Sequence, residues 1–430
     1  MNYCPGRELG LMGLMGLIGA LTERAIAAAA VVAFSAAAAM AQPYESYAAR
    51  SAAEILPPNM IQGKYFKVRN QVLAYDFLHH YTVDSDFGTF EVTGDGALRK
   101  LVKEIAAIGA LNETDTIEAV GASVKQSVAS PFVLARNLVT SPVDTVSGLP
   151  GGVSHILGNV TEGVTMEHDP SEDSRVKQAL FVSSWKRDFA TQNGVDVYSS
   201  NKVLQKELNR VGWAAAISGL SISVATMSGG TAVAVMKNMR LANQVGNALK
   251  EEPPARLRII NERKLKEMGI SDALAKRYLD HLAFTPRHDT VIVECLTQLK
   301  ATRGRAVFLN HILAAEDEVG ANFFQQMAET ILGYHNTVSP LEEIAAVDGM
   351  IVAQAKNGTP FVPFPLDRGV WTARAQGILE SIKANRGAAG HSGNIDLWIT
   401  GTFSTLAHRQ MAARGVTITE NVDEKIGFLN

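Results

Sequence analysis

The 430-residue sequence predicts a mixed α/β protein that is predominantly helical. A small β-meander with helices comes first, then a helical array with a C-terminal meander and a βαβ-type unit. Three observations carry that expectation. Apolar residues recur at helical spacing through 98–111 and again between 255 and 332. Aromatic and β-branched residues bounded by turn chemistry fill 65–92 and 344–364. Residues 396–419 alternate strand, helix and strand. A hydrophobic content of 47% with 19% charged residues belongs to a folded chain rather than a disordered one.

The first 41 residues read as a cleavable secretory signal peptide. Ala25 to Ala39 is an uncharged, Ala-rich run, and Ala39-Met40-Ala41 places small residues where signal peptidase admits nothing larger. The run is short for a membrane anchor, which wants about 20 apolar residues. Met12 and Met15 are alternative starts. Cleavage would remove two bases (Arg7, Arg24) and two acids (Glu8, Glu23), so the net charge stays at −3. That balance argues against a nucleic-acid binder. Cys4 would leave with the leader and Cys295 would remain alone, in an apolar helical run, as a buried inert thiol. Residues 42–430 exceed one comfortable core. The expected division is a β-meander and apolar helical domain over 42–250, and a helical array with a C-terminal α/β portion over 255–430. Lys250-Glu251-Glu252-Pro253-Pro254 is the linker between them.

Along the chain, 42–62 reads as an extended lead-in. Strands follow at Tyr65–Val68, Val72–Tyr75, Tyr81–Val83 and Phe87–Val92, with turn chemistry at Asp84-Ser85-Asp86. Asp95 is placed to cap a helix whose apolar face is Leu98, Leu101, Val102, Ile105, Ile108 and Leu111. A second helix is expected at 114–129. Residues 131–164 carry few charges and are broken by Pro and Gly. They read as a buried irregular layer, with a membrane surface or partner as the alternative. An acidic loop at 165–174 precedes helices at 175–190 and 201–211. Residues 211–236 are uncharged but diluted by Ser, Thr and Gly, so a packed helical hairpin is expected before a membrane insertion.

Helices are expected at 255–268, 271–282, 288–302, 306–319 and 321–332. Gly269, Gly304 and Gly320 mark stops, and Ser271 and Asp289 mark starts. Asp348-Gly349 and Asn357-Gly358 turn a three-strand meander, whose last strand carries Pro360 and Pro363 and should therefore be an edge. A helix at 369–384, a loop at 387–394 and the terminal strand–helix–strand unit complete the chain.

No motif names a chemistry. Gly401-Thr402-Phe403-Ser404 joins a strand to a helix and lacks the glycines of a nucleotide loop, so Ser404 reads as a helix cap. Gly390-His391-Ser392-Gly393 has the wrong spacing for a serine-hydrolase elbow. The ten histidines show no zinc spacing. His79 and His80, adjacent in a strand, face opposite ways. His311 shares a helix side with Glu318 and reads as solvated, and His168-Asp169 lies in a loop. Trp371, Trp398 and Phe323-Phe324 read as packing residues. No cofactor or metal is expected, and the catalytic residues are unassigned. The leading functional expectation is a non-catalytic, periplasmic or secreted protein. It would associate with the envelope by binding lipid or a protein partner through 131–164 or 211–236. The alternative is an exported hydrolase whose site is assembled from distant residues, with His391, Ser392 or the Gly401–Ser404 turn near it.

Overall fold

The computed structural model describes residues 44–113, 183–191, 193–218, 239–347, 349–388 and 394–429. It has the expected mixed α/β architecture, with small sheets and a predominantly helical array. The leader, 114–129, 131–164, the acidic loop, most of 211–236 and Gly390–Gly393 lie outside the described residues.

The stretch expected as an extended lead-in instead holds a short strand, β1 (Arg50–Ser51), and two single-turn helices, α1 (Ala52–Ile55) and α2 (Pro58–Ile61). Ser51 caps α1 by accepting from the Ala53 N–H, and Pro58 opens α2, where its missing N–H is no loss. The meander follows as β2 (Phe66–Val68), β3 (Gln71–Tyr75), β4 (Leu78–Ser85) and β5 (Gly88–Thr93). β4 organises it: β5 runs along one edge, while β3 and β2 share the other, all antiparallel. Alternation turns Val72, Tyr81 and Val83 inward, onto Leu98, Leu101 and Ile105 of α3 (Asp95–Glu113). The far end of α3 packs Ile108 and Leu111 on Leu204 and Leu208 of α4 (Lys202–Ser218) and on Phe189 of the helical segment 183–191.

The array comprises α5 (Met239–Glu251), α6 (Pro254–Glu267), α7 (Asp272–Leu279), α8 (Pro286–Gln298), α9 (Arg305–His311) and α10 (Glu318–Thr337). Several expected boundaries move for local reasons. Thr285, not Asp289, caps α8, in a reciprocal capping box with His288. α9 stops at His311, and a 3-10 turn at Ile312–Ala314 follows. α10 starts because the Asp317 side chain accepts from the Gly320 N–H, so Gly320 lies inside a helix start rather than at a stop. His311 and Glu318 therefore do not share a helix. Gly269 does sit just past α6 with positive φ, and Ser271 caps α7.

The C-terminal sheet contains β6 (Leu341–Val347), β7 (Met350–Ala355), β8 (Pro360–Pro363), β10 (Ile395–Trp398) and β12 (Val416–Thr419), in the spatial order β12-β10-β8-β7-β6. β9 (Arg368–Gly369) and β11 (Thr402–Phe403) pair with each other separately. The meander and the βαβ unit are thus one sheet, joined where β8 runs parallel to β10. β8 is an interior strand, not an edge. Its prolines occupy its first and last positions, so the ladder between them needs no proline N–H.

Residues of β8 alternate between two cores. Phe361 faces the array, where Tyr334 of α10 stacks on it at 4.0 Å and Trp398 meets it edge-on. Val362 faces the opposite layer, packed with Leu379 and Ile382 of α11 (Ala373–Ala388) and Ala407 and Met411 of α12 (Thr405–Ala412). α13 (Val422–Ile426) closes the chain against α10, with Ile426 filling the space left by Gly333. Leu241 and Val245 of α5, before the Pro253-Pro254 step, share the array's core with residues after it.

Candidate functional site

The two halves meet at a turn that costs backbone energy. β3 and β4 are joined by Asp76 and Phe77, both at positive φ (48° and 71°). A bulky residue in that region is a genuine outlier. The C-terminal half holds it there. The Phe77 carbonyl accepts from the N–H groups of Asp367 (2.9 Å) and Arg368 (3.1 Å), and its ring packs edge-on against Phe364.

That contact delivers Asp367 to the start of β4. His79 faces inward by alternation, and Tyr81 lies two residues on, on the same face. β5 returns antiparallel, so Gly94, at φ 98°, donates to the His79 carbonyl at 2.8 Å and sets Asp95 beside His79. His79 Nδ1 lies 2.8 Å from Asp95 Oδ1, and the Tyr81 hydroxyl donates to the same oxygen. The Asp367 Oδ2 accepts from the main-chain N–H groups of His79 (2.9 Å) and Asp95 (3.2 Å). Both bonds fall on Oδ2, so neither uses Oδ1. Asp95 is the first residue of α3 rather than its cap. Asp367, from 272 residues away, serves the helix start in its place.

The electrostatics follow from burial. Burial, then the neighbouring Asp95 charge, pushes the Asp367 carboxyl up to about 7. Burial and Asp95 also drive the Tyr81 phenol well upward, so it stays a hydrogen-bond donor at ordinary pH. His79 is almost wholly buried, and its Nε2 has no partner. One ligand-capable atom from each of His79, Asp95 and Asp367 lies within 4.8 Å of the others. An imidazole and two carboxylates at that separation can hold a divalent cation or share protons.

In the sequence His79 stands out only as the neighbour of His80. Their opposite orientation is observed: His80 stacks on Tyr75 at 3.5 Å and bonds Thr93. The local pattern around Asp95 signals a helix cap, and Asp367 carries no local signal at all. The Gly401–Ser404 turn does reach this region, since the Thr402 N–H donates to the Asp367 carbonyl. A Cβ on Gly401 would lie 2.0 Å from that carbonyl oxygen. The N–H groups of Thr402, Phe403 and Ser404 are all engaged within the protein. Phe403 donates to Glu420, Ser404 donates to the Gly369 carbonyl, and the Ser404 side chain caps α12. His311 packs its ring on Phe324, and Trp371 and Trp398 are buried packing residues. His391, Ser392 and His168-Asp169 lie outside the described residues. No protein-family model matches the chain, and no curated protein or solved structure matches it significantly.

Proposed function

We propose that the protein is a hydrolase whose centre is His79, Asp95 and Asp367, holding a divalent cation. One observation carries this: three ligand-capable side chains from separate stretches converge within 4.8 Å, and one of them is a buried histidine whose Nε2 is unpartnered. One imidazole and two carboxylates, with no thiolate, suit zinc, manganese or ferrous iron better than copper(I). A three-ligand set leaves room for water, and the cation would supply Lewis acidity. The chain's own groups would do the positioning. Tyr81 fixes Asp95 by donating to Oδ1, while the His79 and Asp95 N–H groups fix Asp367 through Oδ2. Ligands must be deprotonated to hold a cation, so uptake would release any proton that the cluster holds.

The test is calorimetric titration of the full chain with zinc and manganese in buffers of different ionisation heat. A panel of ester, phosphoester and amide substrates follows, with and without metal. One site, proton release and metal-stimulated cleavage are expected. Asp95→Asn and Asp367→Asn should each weaken binding by about 100-fold or more, since losing a ligand costs at least as much as losing a ligand's supporting partner. A folded wild-type chain that binds no cation would overturn the proposal.

A second reading has its own support. Asp367 accepts two main-chain N–H groups, as a purely structural clasp between the halves would. It predicts that Asp367→Asn lowers stability while the wild type ignores metal.

Association with lipid or a partner through 131–164 or 211–236 rests on their low charge. All but 211–218 of those stretches lies outside the described residues. Among the described residues, no helix is long and apolar enough to cross a membrane. Export through the 1–41 leader is part of the same proposal, and fractionating cells that express the chain checks it.

A further inference from the structure

Between the C-terminal sheet and α11 the packing leaves a cavity of about 70 Å³. Every side chain that lines it is apolar, from Val362, Ile395 and Val416 on the strands to Leu379 and Ile382 on α11 and Met411 on α12. Those six are buried, whereas Phe77, Phe364, Ala375 and Ile378 are half-buried, so part of the lining is reachable from solvent. Water inside finds no hydrogen-bond partner among these side chains, and the space favours an apolar occupant. An apolar cavity of about 150 Å³ accepts a benzene ring, and roughly half that room suits an unbranched chain instead. The cavity shares its wall with the segments that hold Asp367. The Phe77 ring lines it, while the Phe77 carbonyl accepts from the Asp367 N–H at 2.9 Å. Leu366, the residue before Asp367, lines it too. So does Phe403, whose neighbour Thr402 donates to the Asp367 carbonyl at 3.1 Å. Phe77 is also two residues from His79, a backbone reach of at most about 7 Å.

We propose, resting on the hydrolase reading of His79, Asp95 and Asp367, that this cavity receives the acyl chain of the substrate, an ester of an unbranched carboxylic acid of about four carbons. Hydrolysis breaks the acyl C–O bond. Water supplies OH to the acyl carbon and its other proton to the leaving alcohol. Each methylene taken from water into the cavity strengthens binding, and chain beyond its depth adds nothing.

The experiment takes two independent readouts on the full chain. The first is cleavage of p-nitrophenyl acetate, butyrate and octanoate with zinc present. Butyrate should exceed acetate in kcat/KM by about tenfold, the worth of two buried methylenes, and octanoate should gain nothing further. The second is binding without metal. N-methylbutyramide, which has no ester to cleave, should saturably shift the isotope-labelled ε-methyl signals of Met350 and Met411, the two methionines in the lining. Ala375→Leu, which fills the cavity, should erase both the butyrate preference and the shifts. Ile378→Ala, which enlarges it, should move the preference towards octanoate. Val307→Ser, at an exposed position on α9, should change neither readout. Circular dichroism and melting verify each fold, and Ile378→Ala carries the test if Ala375→Leu misfolds. Cleavage blind to acyl length and to both variants, with unmoved methionine signals, would overturn the acyl pocket and leave the metal centre standing. Saturable shifts with no cleavage of any ester would support the pocket and overturn the hydrolase.

Discussion

Glu329 lies fully buried in α10, and burial pushes its carboxyl up to about 7, opposed by the Leu429 N–H at 2.7 Å and by Gln325. Asp289 in α8 is raised to about 7 for the same leading reason. A carboxyl whose folded pKa lies above its unfolded value binds its proton more tightly when folded. Its contribution is therefore most favourable below the unfolded pKa of about 4, declines as pH rises towards 7, and is level above that. For Glu329 the upper bound is on the order of 3 kcal/mol. Urea midpoints should fall from pH 5 to pH 8, and Glu329→Gln should flatten that fall. An unchanged slope in the variant would assign the pH dependence elsewhere. Cys295 sits at the same depth, and burial drives its thiol well upward. A thiol reagent should leave Cys295 unlabelled in the native chain and react with it fully once urea unfolds the chain.

Elements were legible where their signals are local. The Asn357-Gly358 turn, the positive φ at Gly349, the Ser404 cap and the 416–419 strand follow from neighbours in sequence. Ser404→Ala should lower stability by about 1 kcal/mol in urea titration, the usual worth of such a cap. Where a distant partner decides, local signals mislead. Pro360 and Pro363 argue for an edge, yet a four-residue strand with prolines only at its ends pairs on both sides. Gly304 reads as a stop after α8. α8 instead ends at Gln298 with Leu299 as its C-cap, and Gly304, at φ 80°, is the N-cap of α9, pressed against the sheet. A Cβ there would sit 1.9 Å from the Ile344 carbonyl oxygen, and Arg303 beside it bridges to Glu343. Gly304→Ala combines a left-handed conformation with that clash. A loss of about 2–4 kcal/mol is expected, read as a fall in melting temperature.

For the whole molecule, composition and periodicity were enough to expect a mostly helical α/β chain, but not to join its parts. The meander and the βαβ unit each announce themselves. Their fusion depends on β8 meeting β10, which no short window of sequence encodes. The His79 cluster is the extreme case. Its members carry ordinary local patterns, a strand histidine, an aspartate after Gly94 and an aspartate before Arg368. Only the Phe77–Asp367 contact assembles them. Among the described residues Cys295 is the one cysteine and is free, so this part of the chain holds no disulfide. Its melting temperature should be identical with and without dithiothreitol.

The separation of His79 from Asp367 also sets an order in time. A ribosome-bound chain can complete the β4–β5 hairpin early, with His79 and Asp95 already side by side. It cannot complete the triad until residue 367 has emerged and the third strand of the second sheet has formed. A truncated product would therefore carry His79 and Asp95 without Asp367, and the last third of the chain supplies the third member of the cluster.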